Sequence, residues 1–128
     1  MSTQRHRDGT GWEEAAGYSR AVRRGRHIYV SGTTAHAPGG GAIEGDIGEQ
    51  TTAALRAAVG AVEALGGTID DVVRTRLMLV PGADWKEAAA AHRDLMGQVA
   101  PANTMVYVQA LIGEAFLVEV EMEAVLDS

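Results

Sequence analysis

The order of apolar and polar residues along the chain predicts short β-strands separated by two α-helices. Two segments between Tyr18 and Ser31 flank Gly25, a residue that suits the tight turn of a β-hairpin. Three later segments also have strand character, and they read VVRTRLMLV, TMVYVQAL and FLVEVEMEAV. In the first of these, the covered side is predicted to hold Val73, Thr75, Leu77 and Leu79. In the last, apolar residues alternate strictly with Glu119, Glu121 and Glu123.

Two helices are predicted where apolar residues recur at spacings of three and four. The first follows Asp46 and Glu49, an acidic form of the capping box, and ends at Gly66. The second follows Asp84 and ends near Gly97, with an inward side predicted to hold Trp85, Ala88, Ala89, His92, Leu95 and Met96. The order β-β-α-β-α-β-β predicts an α+β domain with one sheet that carries both helices on one face.

The sheet face opposite the helices is predicted to be a contact surface between subunits. Its polar side chains would include the three glutamates of the last strand, Arg74 and Arg76. The same phase also holds a largely apolar set, which consists of Tyr29, Met105, Tyr107 and Gln109. A large mixed patch usually marks an interface, and one repeated contact can cover it in a cyclic homo-oligomer. The pattern alone gives no subunit number.

A chain of 128 residues with 46% apolar and 22% charged residues has the size and composition of one globular domain. Residues 1–16 lack apolar periodicity, so they are predicted to form a partly ordered arm ahead of a domain at 17–128. No run approaches the ~20 apolar residues of a membrane-spanning helix, and the start lacks a signal-peptide core. We therefore expect a cytoplasmic protein without a membrane partner.

The charge of the chain argues against a nucleic-acid partner. Nucleic-acid affinity comes mainly from clustered positive charge, whereas the net charge here is −6. The basic cluster on the predicted hairpin is accordingly interpreted as a solvated hairpin tip, and its members are Arg20, Arg23, Arg24, Arg26 and His27.

The most common catalytic arrangements are missing from the sequence. The chain has no cysteine, and its histidines and acids lack metal-ligand spacing, so neither a metal nor another cofactor is expected. Lys86, the single lysine, is predicted to be an exposed helix residue, and Ser31 lacks the Gly-x-Ser-x-Gly turn of a serine nucleophile. His92 has the spacing of a packing histidine, whereas His36 lies on a glycine-rich loop from which it could reach a cleft.

Taken together, these segments resemble the signature of the Rid (YjgF-like) family over nearly the whole chain from Gly17 to Val125. The matching elements are GYSRAV at 17–22, YVSG at 29–32, the stretch 49–55, the stretch 66–73, Pro101 with Ala102, and VEVE at 118–121. The resemblance implies a chorismate-mutase-like fold. It also implies a homotrimer whose sheets line the centre, with three clefts for a small-molecule ligand at the subunit boundaries. Members of the family hydrolyse 2-imino acids, or the enamines that tautomerise to them, without a cofactor.

The resemblance also assigns site residues. Glu119 matches the glutamate that positions a water, and its alternative interpretation is an ordinary ion pair on the sheet face. Tyr18 and the consecutive residues Ser31, Gly32 and Thr33 match the cleft wall. The family's carboxylate-binding arginine is replaced by Asn103, and the family's frequent asparagine and tyrosine on the second helix are replaced by Ala89 and His92.

The exchange of arginine for Asn103 bears on the substrate. A charge-assisted hydrogen bond is worth about 1.5–3 kcal/mol, so its loss predicts carboxylate binding that is weaker by roughly tenfold or more. Asn103 and Thr104 are predicted to supply donors to a neutral acceptor, and Met105 to make the pocket softer and more apolar.

The sequence leaves three functions open. The first is cofactor-free hydrolysis or tautomerisation of an imine or enamine other than the usual 2-imino acids, with Glu119 as the catalytic residue. The second is a non-catalytic protein that binds a small metabolite in the cleft or regulates by doing so. The third is RNA cleavage, described for some relatives, which the acidic charge disfavours.

Overall fold

Six strands form one mixed sheet in the computed structural model, which describes residues 2–128. They are β1 (Thr3–His6), β2 (Ala21–Arg24), β3 (His27–Thr34), β4 (Val72–Leu79), β5 (Ala102–Tyr107) and β6 (Val118–Val125). Their spatial order is β1-β2-β3-β6-β4-β5, and all neighbours are antiparallel except the pair β4 and β5. A parallel pair needs a crossover connection, which is made here by α3 (Trp85–Met96).

The long helix α2 (Ile47–Ala64) and helix α3 bury their apolar sides against the same face of the sheet. Helix α2 begins at the predicted capping box, where Asp46 Oδ1 accepts a hydrogen bond from the backbone N–H of Glu49 at 2.9 Å. The shared core includes Leu55, Ala58 and Val62 from α2, Ala88 and Met96 from α3, and Leu77, Leu79, Val118, Val120 and Met122 from the sheet. The predicted α+β arrangement, with both helices on one face, is confirmed.

The predicted inward sides need correction at two positions. Trp85 is 51% exposed, because it is the first residue of α3 and lies beside β5, the last strand of the sheet. Val73 is 47% exposed, whereas Val72 is buried. The register between β4 and β6 shifts between Val72 and Arg74, and this irregularity reverses the phase at the start of the strand.

The predicted phase of β5 was wrong. Met105 pairs with Leu77 in the parallel register, and cross-strand partners share a face, so Met105 lies on the helix side of the sheet. Tyr107 shares that phase, and its hydroxyl donates to the backbone oxygen of Ala83 at 2.6 Å. The stretch from Met105 to Val108 is apolar on both sides, so the sequence pattern does not indicate which side faces the helices. The prediction that the three glutamates of β6 lie on the outward face is confirmed, because the alternate residues Val118, Val120, Met122 and Ala124 are buried.

The segment predicted as a partly ordered arm contains two elements that the pattern did not predict. Strand β1 pairs with β2 from Thr3 opposite Arg24 to His6 opposite Ala21, and the short helix α1 spans Trp12–Ala16. Glu13 of α1 is buried, and its carboxylate accepts hydrogen bonds from the backbone N–H groups of Asp8 and Arg20. Within residues 2–128, no helix is long and apolar enough to cross a membrane.

Candidate functional site

A cavity of about 200 Å³ lies where the ends of β3 and β6 meet the N-terminal segment. Glu119 of β6 is opposite Thr34 of β3, and both residues line the cavity. The remaining lining residues are Thr10, Trp12, Tyr18, Arg20, Gly32, His36, Gly40, Ile112 and Phe116. The cavity thus combines one carboxylate and one guanidinium with several apolar side chains, a composition typical of small-molecule sites.

Glu119 owes its position to an irregularity in β3. The register between β3 and β6 shifts between Val30 and Thr33, and Gly32 lies within that shift. The carboxylate of Glu119 occupies the space beside Gly32, where a Cβ would come within 2.7 Å of Glu119 Oε2. Only a residue without a side chain leaves this space open, which gives a physical reason for the glycine.

The electrostatic surroundings of Glu119 favour its protonated form. Burial raises the pKa of the Glu119 carboxyl, the nearby charge of Glu121 raises it further, and the charge of Arg20 opposes the rise. Glu121 is paired with Arg76, whereas none of the ion pairs within residues 2–128 includes Glu119. The sheet-face ion pair that was the alternative for Glu119 therefore describes Glu121 instead.

The segment that leads into β6 is fixed to helix α2 by Gln50, which is buried. Its side-chain Nε2 donates to the backbone oxygen of Ala115 at 2.9 Å, and its Oε1 accepts from the backbone N–H of Leu117 at 2.8 Å. Two hydrogen bonds from one buried amide thus connect the segment before Glu119 to α2.

Arg20 is the most important site residue that the sequence reasoning missed. The prediction placed it on a solvated hairpin tip, but it is only 7% exposed and lines the cavity. Its Nη1 donates to the backbone oxygen of Gly32 and to Thr33 Oγ1, and its Nη2 donates to the Tyr18 hydroxyl at 3.1 Å. The other arginines of the basic cluster flank the turn, and Arg24 and Arg26 are exposed. Its position in the chain sets Arg20 apart from the other arginines of the cluster, because it is the only one that precedes β2.

The predicted wall residues divide into lining and supporting groups. Tyr18 and Gly32 line the cavity together with Glu119. Ser31 Oγ donates to the backbone oxygen of Ser19 at 2.7 Å, and the buried Thr33 Oγ1 donates to the backbone oxygen of Ser31 at 2.8 Å. Ser31 and Thr33 therefore support the wall from behind.

Asn103, Thr104 and Met105 do not join the Glu119 cavity within one chain. Asn103 and Met105 line a separate groove of about 370 Å³ between α3 and β5, whose other residues are Leu79, Trp85, Ala89, Val106 and Tyr107. Thr104 has the opposite phase, and its hydroxyl accepts a hydrogen bond from Arg74 Nη2 at 2.9 Å.

The side chain of Asn103 is held by a partly buried network. Its Nδ2 donates to Thr75 Oγ1 at 2.9 Å, and Thr75 Oγ1 lies 2.8 Å from His92 Nε2. Because Thr75 Oγ1 accepts from Asn103, its own hydrogen is available to donate to a neutral His92. Burial lowers the pKa of His92, which favours that neutral form.

His36 reaches the cavity from its loop, as the sequence suggested. Its Nδ1 lies 3.2 Å from the backbone oxygen of Thr34, which can only accept, so Nδ1 carries the hydrogen. Its Nε2 lies 3.8 Å from Asp8 Oδ2. Within residues 2–128, no group of three or more histidine and acidic side chains is placed to hold a metal ion.

The chain matches the family model described as endoribonuclease L-PSP over residues 11–126. It is 39% identical over 123 residues to an uncharacterised protein of Streptomyces coelicolor, a match that covers 96% of this chain and 92% of the relative. It is 31% identical over 109 residues to a RutC family protein of Pyrococcus abyssi, with 84% of each chain covered.

Among solved structures, the chain is similar to Rv2704 of Mycobacterium tuberculosis, described as a member of the highly conserved YjgF/YER057c/UK114 family. The TM-score is 0.88 and the sequence identity 39%, and the match covers 98% of this chain and 100% of Rv2704. The fold that the resemblance implied is therefore confirmed. By the family model and these relatives, the chain belongs to the endoribonuclease L-PSP family, the family of the YjgF and Rid proteins.

Proposed function

We propose that this protein hydrolyses an imine or enamine of a small metabolite in the Glu119 cavity, without a cofactor. The observation that carries the proposal is the state of Glu119, a half-buried carboxyl outside the ion pairs of residues 2–128, with a raised pKa, on the wall of a small cavity. Perturbed carboxyls in clefts are the groups that enzymes use to move protons near neutral pH. The apolar walls provided by Trp12, Ile112 and Phe116 suit a small organic substrate.

The proposed reaction needs one carboxylate and one water. Glu119 takes a proton from the water as the water oxygen bonds to the carbon of a protonated imine, and the C=N electron pair moves to nitrogen. The protonated Glu119 then returns its proton to nitrogen while the carbinolamine hydroxyl loses its own to solvent, the C–N bond breaks, and a carbonyl compound and ammonia leave. An enamine would first be protonated at carbon to give the same imine.

We further propose that the active assembly is a homotrimer. The support is the exposure of apolar side chains on the sheet, since Tyr29 is 50% exposed and Val106 is 40% exposed. In such an assembly the groove that holds Asn103 would face a neighbouring subunit and complete a cleft. Sedimentation equilibrium tests this point, and the expected mass is three times the 13.4 kDa of the chain.

The experiment for the proposed function compares ammonia release by wild type and Glu119→Gln from freshly generated imines of alanine and leucine and from the imines of the neutral amides of these two amino acids. Spontaneous hydrolysis is subtracted. We expect Glu119→Gln to lose roughly 10²-fold or more of the activity, because a general base typically contributes that much. The matched control is Glu123→Gln, an exposed glutamate with the same outward phase on β6, which should keep wild-type activity.

Small-molecule binding without catalysis is the second candidate. Two observations favour it. Position 103 lacks the family's arginine, and Asn103 already donates one amide hydrogen to Thr75. A protein of this kind would bind a metabolite with unchanged affinity in Glu119→Gln and release no ammonia in either form.

RNA cleavage, which the description of the family names, is the third possibility. The net charge of −6 disfavours a phosphate-binding surface. Absence of RNA binding at physiological salt would remove it.

A further inference from the structure

Arg20 has donors that the protein does not satisfy well. Both hydrogen bonds of Nη1 go to Gly32 and Thr33, and one from Nη2 goes to Tyr18. The Nε–H is buried and makes no hydrogen bond within residues 2–128. Asp8 Oδ2 lies 3.3 Å from Nε, but the contact is one of charge without the alignment of a hydrogen bond. A buried N–H without an aligned acceptor is costly, and it marks a position where an acceptor would be stabilised.

The partners on the two sides of Arg20 differ in how firmly they are held. Gly32 and Thr33 belong to β3 in the middle of the sheet, so they fix the guanidinium from behind. Asp8 lies in the connection between β1 and α1, where the residue as a whole is exposed although its side chain is only 20% exposed. Its Oδ1 accepts from the backbone N–H of Thr10, a local hydrogen bond over two residues of the same connection. The side chain of Asp8 can therefore turn away from Arg20 while its backbone N–H stays bonded to the buried Glu13 carboxylate.

We propose that Arg20 is the anion-recognising residue of the Glu119 cavity. In the free protein the Asp8 carboxylate lies against the Arg20 guanidinium, and a ligand carboxylate takes the place of Asp8 on binding. The guanidinium has an Nε–H without a hydrogen bond and an Nη2 that donates only to Tyr18, and a carboxylate bound through Nε and Nη2 would use the fork geometry of arginine. Arg20 and Glu119 line the same cavity, and so do Thr10 and His36, which lie against the Asp8 carboxylate. A ligand carboxylate in the place of Asp8 would therefore lie at the edge of the cavity that holds Glu119.

This inference names a substrate class for the proposed function and rests on it for the identity of the reaction site. The ligand would be a small monocarboxylate with an apolar substituent, which Trp12 and Phe116 can cover. The loss of arginine at position 103 would then move carboxylate recognition to another wall of the site. The expectation that the substrate lacks a carboxylate, which was drawn from Asn103 alone, would be replaced.

The test measures equilibrium binding of pyruvate and of its neutral amide, pyruvamide, to Asp8→Asn. Asparagine keeps the size of Asp8 and its acceptor for Thr10, but it removes the charge that competes for Arg20. We expect the Kd for pyruvate to fall by about threefold or more, because Asp8 no longer competes for Arg20, and the Kd for pyruvamide to stay unchanged. The matched control is Glu14→Gln, which removes an equal charge from an exposed residue of α1.

A second variant separates recognition from folding. Arg20→Gln should lose pyruvate binding by about tenfold or more while it keeps pyruvamide binding, which reports that the cavity is intact. The inference is overturned if Asp8→Asn and Glu14→Gln have the same pyruvate affinity, if pyruvamide gains equally, or if millimolar pyruvate binds neither wild type nor Asp8→Asn. Arg20-dependent pyruvate binding without ammonia release would defeat the proposed function and leave this inference standing. Ammonia release with no effect of Asp8→Asn on pyruvate binding would support the proposed function and overturn this inference.

Discussion

The carboxylate of Glu119 lies against the backbone of Gly32, so closely that a Cβ at position 32 would be 2.7 Å from Oε2 and 2.9 Å from Cδ of Glu119. Contacts this short are not tolerated between atoms that share no bond, so the two residues depend on each other. Gly32 allows the carboxylate to enter the cavity, and Gly32 lies within the register shift of β3 between Val30 and Thr33.

Gly32→Ala should displace the carboxylate of Glu119 and leave the fold in place. The clashing atoms are the end of a flexible side chain, so the structure can yield there at modest cost. We expect ammonia release to fall by about tenfold or more, because misplacement of a catalytic group by about 1 Å can cost that much. Steady-state assays of the purified variant give the measurement.

Two comparisons make the Gly32→Ala result specific. In the Glu119→Gln background, Gly32→Ala should cause no further loss, since both changes act on the same carboxylate. Gly60→Ala is the matched control, because Gly60 is exposed in α2 with nothing within 4 Å of an added Cβ. It should leave activity unchanged and raise the free energy of unfolding by about 0.5–1 kcal/mol. Full activity in Gly32→Ala would show that the carboxylate is not used.

Thr75→Val tests the network that holds Asn103. Valine matches the shape of threonine but removes the hydroxyl that contacts His92 and accepts from Asn103. Because Thr75 is fully buried and His92 half-buried, the loss should reduce the free energy of unfolding by about 1–3 kcal/mol. Urea unfolding at pH 7 measures it, and a variant as stable as wild type would contradict the network.

Glu119→Gln should be more stable than wild type at neutral pH. Burial raises the pKa of Glu119 above its ordinary value of 4.5, so the fold favours the protonated carboxyl. Its contribution to stability is full below pH 4.5 and is lost as pH rises through the raised value. Unfolding by urea should therefore show a gain for Glu119→Gln at pH 7 that shrinks toward pH 4. A stability gain of Glu119→Gln that grows toward acid pH would contradict the statement that burial raises the pKa of Glu119.

Local patterns explain why much of the fold could be predicted. The capping box at Asp46 and the strict alternation of β6 are signals within a few residues, and both are found as expected. The phase of β5 could not be predicted, because apolar residues occupy both of its faces. Strand β1 escaped prediction because it joins the sheet edge through backbone hydrogen bonds, which leave no apolar period in TQRH.

The site was predictable where the resemblance supplied a residue and the structure supplies the same cavity. Tyr18, Gly32 and Glu119 line one space, as expected for a cleft wall. Arg20 was missed because hydropathy cannot distinguish a buried arginine from a solvated one. Its partners are Gly32 and Thr33 of β3, the Tyr18 hydroxyl and the Asp8 carboxylate, which three separate segments contribute. Asn103 and Met105 lie in another groove, a separation that only the register of β5 could reveal.

The pH dependence of kcat/KM for ammonia release tests most directly whether Glu119 carries the chemistry. If its carboxylate accepts the proton of water, kcat/KM of wild type should rise with pH along a limb whose apparent pKa lies above 4.5. Glu119→Gln should lose that limb, while Glu123→Gln keeps it. A limb of the same position and height in Glu119→Gln would contradict the account.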